Sequence, residues 1–351
     1  MATVPTALTT AFSEFTACNG KPSRRQLLRG AAAWVGASAF GVTSAVQTQT
    51  GAPGSSLRIL CTAPGGTIPD IVARSYAEQL GASHSRGVVV DNRAGAAGRI
   101  AVGVLKQAAP DGSTLLLAQG AVASVYPYLY DTLAYDPVAD LKPLSLAAEA
   151  VLGLAVGPAV PDSVTSLTSL VDWIRANPDK ATHGSPGVGT LPHLMVALLA
   201  REAQLHWQHV PYAGGPQALT DLMAGRLTAL ALPEGLLRPL QAAGKLRVLA
   251  TSGPTRSSFL PNVASVVEQG FPRLVMREWF AFFAPGGTPS SLADELSASL
   301  QQVAAQPAVK AALAEIGMLA LASTGGELRE RIAREQPYWR AVVSSTGVRV
   351  E

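Results

Sequence analysis

The run Ala63-Pro64-Gly65-Gly66-Thr67-Ile68-Pro69-Asp70 most constrains the fold, because it joins an apolar stretch at 57–61 to one with helical spacing. Val72, Tyr76 and Leu80 recur every four residues, with Ala73 and Ala77 beside them, so they share one helix face. The paired glycines let backbone N–H groups approach an anion that the helix N-terminus also attracts. Gly65, Gly66 and Thr67 are therefore candidate contacts to a carboxylate, with Asp70 placed to cap the first turn and order the helix beneath it. A plain strand-to-helix turn would use the same residues, and the segment alone leaves both readings open.

The alternation continues along the chain. Strand patterns fall at 57–61, 88–90, 114–118, 151–156, 181–184, 206–210, 227–232, 246–251 and 280–284. Helical patterns fall at 167–176, 191–203, 216–224, 236–243, 292–305 and 326–344. Such alternation predicts an α/β fold with mostly parallel sheets.

Two further segments carry turn signals in register with the first. Val88-Val89-Val90-Asp91-Asn92-Arg93-Ala94-Gly95-Ala96-Ala97-Gly98 is a strand entering a glycine turn, and Ala109-Pro110-Asp111-Gly112-Ser113-Thr114-Leu115-Leu116-Leu117 is a turn feeding a strand. With these the chain resembles the Bug family, the solute-binding receptors of tripartite tricarboxylate transporters. The segments 135–141 (YDPVADL), 209–215 (HVPYAGG), 243–247 (AGKLR) and 279–289 extend the resemblance over residues 57–350. The first loop departs from the family pattern by one extra residue between the glycines and Asp70.

The resemblance implies a type II periplasmic-binding-protein fold, two α/β domains joined by two crossing strands with a ligand cleft between them. Domain 1 would comprise 56–157 plus 282–351 and domain 2 would comprise 158–281, with crossings near 155–161 and 277–283. Thr190 stands in the serine position of the family's G-x-G-S-x-x-H-L, where it would either cap the following helix or hold a ligand oxygen. Gln119, Ser124, Ser185, Gly189, Thr190, Tyr212 and Glu234 join the first loop as candidate ligand contacts. His193 is expected to be a structural contact. Tyr126, Ala213, Thr228 and Leu232 depart from common family residues near the inferred pocket, so the ligand class stays at a small organic carboxylate, aromatic acids included.

Residues 1–45 are expected to be a twin-arginine signal peptide. Ser23-Arg24-Arg25-Gln26-Leu27-Leu28-Arg29 precedes an uncharged, Ala-rich run, with Thr43-Ser44-Ala45 as the cleavage site. An N-terminal anchor is the competing reading. The whole chain has 27 basic and 24 acidic residues; removing four basic and one acidic leaves 23 of each. That neutrality gives no footprint for nucleic acid. Of two cysteines only Cys61 would survive, which excludes an intramolecular disulfide.

Enzyme motifs fail individually. His183-Gly184-Ser185-Pro186-Gly187 lacks the first glycine of a nucleophile elbow, and Gly187-Val188-Gly189-Thr190-Leu191-Pro192 lacks the last glycine of a dinucleotide fingerprint. His206 and His209 fall on opposite faces of a strand and make poor joint metal ligands. No catalytic residue, metal or cofactor is expected. The chain is expected to be a monomeric periplasmic receptor that passes its carboxylate to membrane permease subunits. The alternatives are a receptor presenting its ligand to a sensor kinase and a twin-arginine-exported enzyme.

Overall fold

A computed structural model describes residues 56–82 and 87–350, so the twin-arginine motif and its cleavage site lie outside the described residues. The first half of the described chain contains β1 (Leu57–Cys61), α1 (Ile68–Gly81), β2 (Val88–Asn92), α2 (Arg99–Lys106), β3 (Thr114–Gln119), α3 (Ala121–Ser124), α4 (Tyr126–Leu129), β4 (Leu141–Val156) and α5 (Leu167–Ala176). Then follow β5 (Thr182–Ser185), α6 (Leu191–Glu202), β6 (Gln208–Pro211), α7 (Gly215–Met223), β7 (Ala229–Pro233), α8 (Glu234–Ala242) and β8 (Arg247–Thr251). The chain closes with β9 (Arg277–Pro285), α9 (Ser290–Ala305), α10 (Pro307–Glu315), β10 (Leu319–Ala320) and α11 (Gly325–Thr346). The fold is α/β, its main strand order β2-β1-β3-β9-β4-β7-β5-β6.

The expectation of mostly parallel sheets needs correction. β1 is parallel to β2 and β3, and β5 to β6 and β7, but β4 is antiparallel to β7, β8, β9 and β10. The reason is connectivity. The chain leaves the first set of strands along β4 and returns along β9, so the two crossing strands run in opposite directions. β4 changes partners within its length: residues 141–151 pair with β9, whereas 152–156 pair with β7 and β8. That changeover comes a few residues before the 155–161 segment expected for the first crossing. Pro143 is accommodated where the β4–β9 register shifts.

The helix face read from the sequence is the one that packs. Val72, Tyr76 and Leu80 of α1 are buried with Ile59, Leu144 and Phe282, and the Tyr76 hydroxyl donates to Ala147 O at 2.8 Å. Cys61 is a buried free thiol in the same core. A second core places α3, α4 and α11 against the opposite side of the β3–β9–β4 strands and continues through α11 to α6, which lies on β5 and β7.

Ser252, fully buried, fastens the two crossing strands together. Its N–H donates to Leu152 O (2.8 Å) and its Oγ accepts from Leu152 N–H (2.8 Å). The same Oγ donates to Met276 O (2.7 Å), while Ser252 O accepts from Met276 N–H (3.0 Å). Ser252→Ala strands a buried N–H and a buried carbonyl, which costs about 1–3 kcal/mol. Urea unfolding should show a lowered midpoint with an unchanged slope; a shift equivalent to under about 0.5 kcal/mol, within the scatter of surface substitutions, would refute the fastening role.

Candidate functional site

A cavity of about 690 Å³ opens where six strands end. Its walls are Thr62–Ala63 after β1, the 94–99 loop after β2, Gln119 at the end of β3, the 186–188 loop after β5, the 212–216 loop after β6 and Pro233 at the end of β7. Ligand sites of open α/β sheets lie outside the carboxyl ends of the strands, and here two sets of such ends share one cavity. In consequence the N-terminal turns of α1, α2, α6 and α7 all border it. Each carries a partial positive charge.

Gly66 adopts φ +78°, a left-handed conformation open to glycine, and a Cβ there would project into open space. Its N–H is already used: it donates to Asp70 Oδ2 at 2.8 Å. Thr67, not Asp70, is the N-cap residue of α1. Asp70 is the third residue of the helix and reaches back, as the acidic member of a capping box does. Asp70 also accepts from Arg74 Nε (2.9 Å) and Asn92 Nδ2 (2.9 Å), and Asn92 Nδ2 donates to Ala63 O (2.9 Å). Burial would raise the Asp70 carboxyl, but the bonds from Arg74, Gly66 and Asn92 outweigh it and hold it below the ordinary range. Asp70 thus orders the loop from beneath, as expected, but from the third helical position and not as the cap; the expectation that needs correction is that of the Gly66 N–H, which is not presented to the cavity. Gly66 and Thr67 border the cavity; Gly65 and Asp70 do not.

The second loop is strained. Ala96 and Ala97 have φ of 46° and 53°, between left-handed Gly95 and Gly98. Non-glycine residues persist there only when neighbours over-determine them. Ala97 O accepts from Gln119 Nε2 (2.8 Å) and from the Tyr126 hydroxyl (2.9 Å), and Gln119 Oε1 accepts from Thr62 Oγ1 (2.8 Å). A Cβ on Gly98 would lie 2.9 Å from Thr62 Cβ, so glycine alone lets the loop close on β1. Immediately after it, Arg99 opens α2 with its guanidinium 3.9 Å from the Tyr130 ring centroid and its Nε donating to Ala96 O (3.1 Å). Arg99 is the one cationic side chain among the described residues bordering the cavity.

The third loop rests on histidines. Ser185 Oγ donates to Gly187 O (2.9 Å), accepts from Gly187 N–H (3.2 Å) and meets His209 Nε2 at 2.7 Å. Gly189 N–H donates to His193 Nδ1 at 3.0 Å, and the His193 and His209 rings stack with centroids 3.7 Å apart. His183 stacks on His209 at 4.9 Å. Thr190 stands at the N-cap of α6, but its hydroxyl donates to Gly187 O (2.8 Å) instead of capping the helix. Thr190 borders the cavity, whereas Ser185 and Gly189 hold the loop from behind. Among the described residues no group of three or more His, Cys, Asp or Glu is arranged to hold a metal ion.

The remaining sequence candidates divide. Tyr212 borders the cavity with its ring, its hydroxyl donating to Asp221 Oδ2 at 2.7 Å. Ser124 is buried away from the cavity and donates to Gly120 O (3.0 Å). Glu234 is also buried outside it, accepting from Ser257 Oγ at 2.6 Å. Neither belongs to the cavity wall. Sequence reasoning missed Arg99, Tyr130 and Glu278. Arg99 had a usable signal, since it follows a glycine turn at a helix start just as Thr67 does. Glu278 carries no such signal, because the charged pair Arg277-Glu278 precedes the apolar run of its strand.

A fold with two sets of strand ends around one cavity is that of the periplasmic binding proteins, and comparison with known structures agrees. R. palustris Rpa4515 with adipate superposes with a TM-score of 0.78 at 26% identity, covering 84% of this chain and 98% of that one. Periplasmic binding protein BugD superposes at 0.76 with 25% identity, covering 84% and 98%. The chain belongs to the tripartite tricarboxylate transporter family of receptors, whose pattern matches residues 72–348. Protein BugT of Bordetella pertussis is 30% identical over 313 residues, 89% of this chain and 95% of that protein. A protein in the tcbD–tcbE intergenic region of Pseudomonas sp. (strain P51) is 33% identical over 282 residues, 80% and 82%. Family members are solute-binding receptors. Among the described residues no helix is long and apolar enough to cross a membrane.

The histidine stack gives the site an acid limit. Burial, reinforced for His183 and His193 by mutual repulsion, holds all three below the ordinary imidazole range, His209 down to about 4. Such groups bind protons more readily in the unfolded chain. Their stabilisation is therefore complete above the unfolded value, near 6.5, and is lost as pH falls below it toward the folded values. Relative to His209→Gln, the parent's melting temperature should drop between pH 6.5 and 4.5, a difference in which carboxyls that titrate alike in both chains, Glu278 among them, cancel. A difference constant over this interval would contradict the assignment.

Proposed function

We propose that this chain is a periplasmic receptor that captures a small organic carboxylate in the cavity and delivers it to the permease subunits of a tripartite tricarboxylate-type transporter. The observation that carries the reading is the convergence of four helix N-termini and the Arg99 guanidinium on one cavity that is otherwise mainly apolar. Anions are stabilised at helix N-termini, and a guanidinium adds charge-assisted hydrogen bonds. An adipate-bound relative of the same fold supports the ligand class. Thr67 would contribute its backbone N–H, with Gly66 and Thr190 holding the shapes of their loops and the Tyr212 and Tyr130 rings as walls. Binding is non-covalent and needs no cofactor.

The cleft would close between a domain of residues 56–157 plus 282–351 and a domain of 158–281, hinged where β4 changes partners. The twin-arginine motif at Arg24-Arg25 supports export to the periplasm, where the receptor would act as a monomer.

A panel of aliphatic and aromatic dicarboxylates and tricarboxylates, followed by thermal melts and titration calorimetry, tests the reading. At a hundredfold excess over Kd a bound acid stabilises the folded chain by about 2.7 kcal/mol. Arg99→Ala should weaken binding about 10- to 100-fold, the loss of hydrogen bonds to a charged group worth about 1.5–3 kcal/mol. No stabilisation by any acid, or an Arg99→Ala variant that binds as its parent does, would refute it. Separately, Arg24→Lys with Arg25→Lys should leave the precursor in the cytoplasm; normal periplasmic levels of mature protein would exclude the twin-arginine route.

A further inference from the structure

Among the described residues bordering the cavity one side chain is acidic, Glu278. It is the second residue of β9, opposite Ala150 of β4, and is 8% exposed. No described residue hydrogen-bonds or ion-pairs with its carboxyl, although acids this buried are otherwise almost always paired.

The neighbouring charges are committed elsewhere. Arg277, on the other face of the strand, donates to Glu149 Oε1 at 2.8 Å. From α11, Arg331 pairs with Glu149 (2.6 Å) and with Glu335 (2.9 Å), and Glu335 accepts from the Trp279 indole (3.0 Å). Glu335 shares a narrow recess with Glu278 but is neutralised by Arg331. From α4 the Tyr126 hydroxyl is spent on Ala97 O, and from α2 Arg99, which lies on the Tyr130 ring with its Nε on Ala96 O, keeps its charge but makes no ion pair with Glu278. His193 of α6 is uncharged in this range. A carboxylate at this position would face an apolar wall with no counter-charge, and burial pushes Glu278 up to about 8.

We propose that Glu278 is a specificity-determining residue of the cavity: as a neutral carboxylic acid it donates its O–H to an oxygen acceptor on the ligand, away from the carboxylate held by Arg99 and the helix N-termini. The inference rests on the carboxylate reading above and deepens it. One cation and one neutral acid suit a ligand with a carboxylate and a second acidic or oxygen-bearing group. A dicarboxylate would form a charge-assisted O–H···O⁻ bond there. An ammonium group would find only a carbonyl oxygen there and no counter-charge. The sign of the linkage follows. The donor exists below about pH 8, and above it Glu278 becomes an anion that repels the ligand, so affinity falls as pH rises.

Calorimetric titration of adipate between pH 6.5 and 9.5 tests this, because the acid is fully ionised throughout and contributes no titration of its own. The parent should lose at least tenfold in affinity between pH 7 and 9.5. Glu278→Gln, which keeps an N–H donor and cannot ionise, should give a flat profile, and Glu278→Leu should bind at least tenfold more weakly than Glu278→Gln at pH 7. A parent profile that is flat, or a Glu278→Gln profile that falls as the parent's does, overturns the role of Glu278 while leaving the carboxylate reading intact. Preference for an ammonium-bearing acid that vanishes in Glu278→Gln would make the residue an anionic partner and overturn the proposal as well. Failure of every acid to bind the parent at any pH overturns both readings.

Discussion

The antiparallel pairing of β4 with β9 is the constraint on which the rest of the molecule depends. It holds two sets of parallel strands so that their carboxyl ends open onto one cavity. A helix that follows such a strand begins at the same edge, so four N-termini reach the cavity without any side chain being recruited for the purpose. The pairing is itself secured at its ends. Glu149 in β4 is flanked by Arg277 of β9 and Arg331 of α11, which satisfies a buried carboxylate that would otherwise be costly. Ser252 ties β4 to the approach to β9 where the strands exchange partners.

A division of labour follows. Most polar side chains near the cavity are occupied with shaping loops: Asp70 and Asn92 hold the first, Gln119 and Tyr126 the second, Ser185 and the histidines the third. Among the described residues, what faces the cavity is backbone, aliphatic and aromatic side chains, a few threonines, Gln119, and one basic and one acidic side chain, Arg99 and Glu278. Loops held this way are preorganised, which lowers the ordering cost of binding. Few groups are then left to distinguish one ligand from another.

The sequence made the βα character legible because glycine turns and fourfold apolar spacing are local signals; α1 and its buried face are where that spacing put them. The first ten residues of β4 escaped because Lys142, Pro143 and Glu149 interrupt the apolar pattern. Their compensation, a register shift and arginines some 130 to 180 residues away, is visible only in three dimensions. Asp70, Ser185 and Gly189 stand in glycine-rich motifs that point to a site, yet their hydrogen bonds point into loops and not into the cavity. Ser124 and Glu234 sit one turn or one strand end away from it, a distance that motif position does not resolve.

The central claim is that the converging helix N-termini bind a carboxylate. It is tested most directly by a crystal structure grown with a saturating dicarboxylate. The account predicts one carboxylate within hydrogen-bond distance of backbone N–H groups at the starts of α1, α2, α6 or α7 and of the Arg99 guanidinium. A ligand seated elsewhere, or one whose carboxylates touch neither those termini nor Arg99, would contradict it.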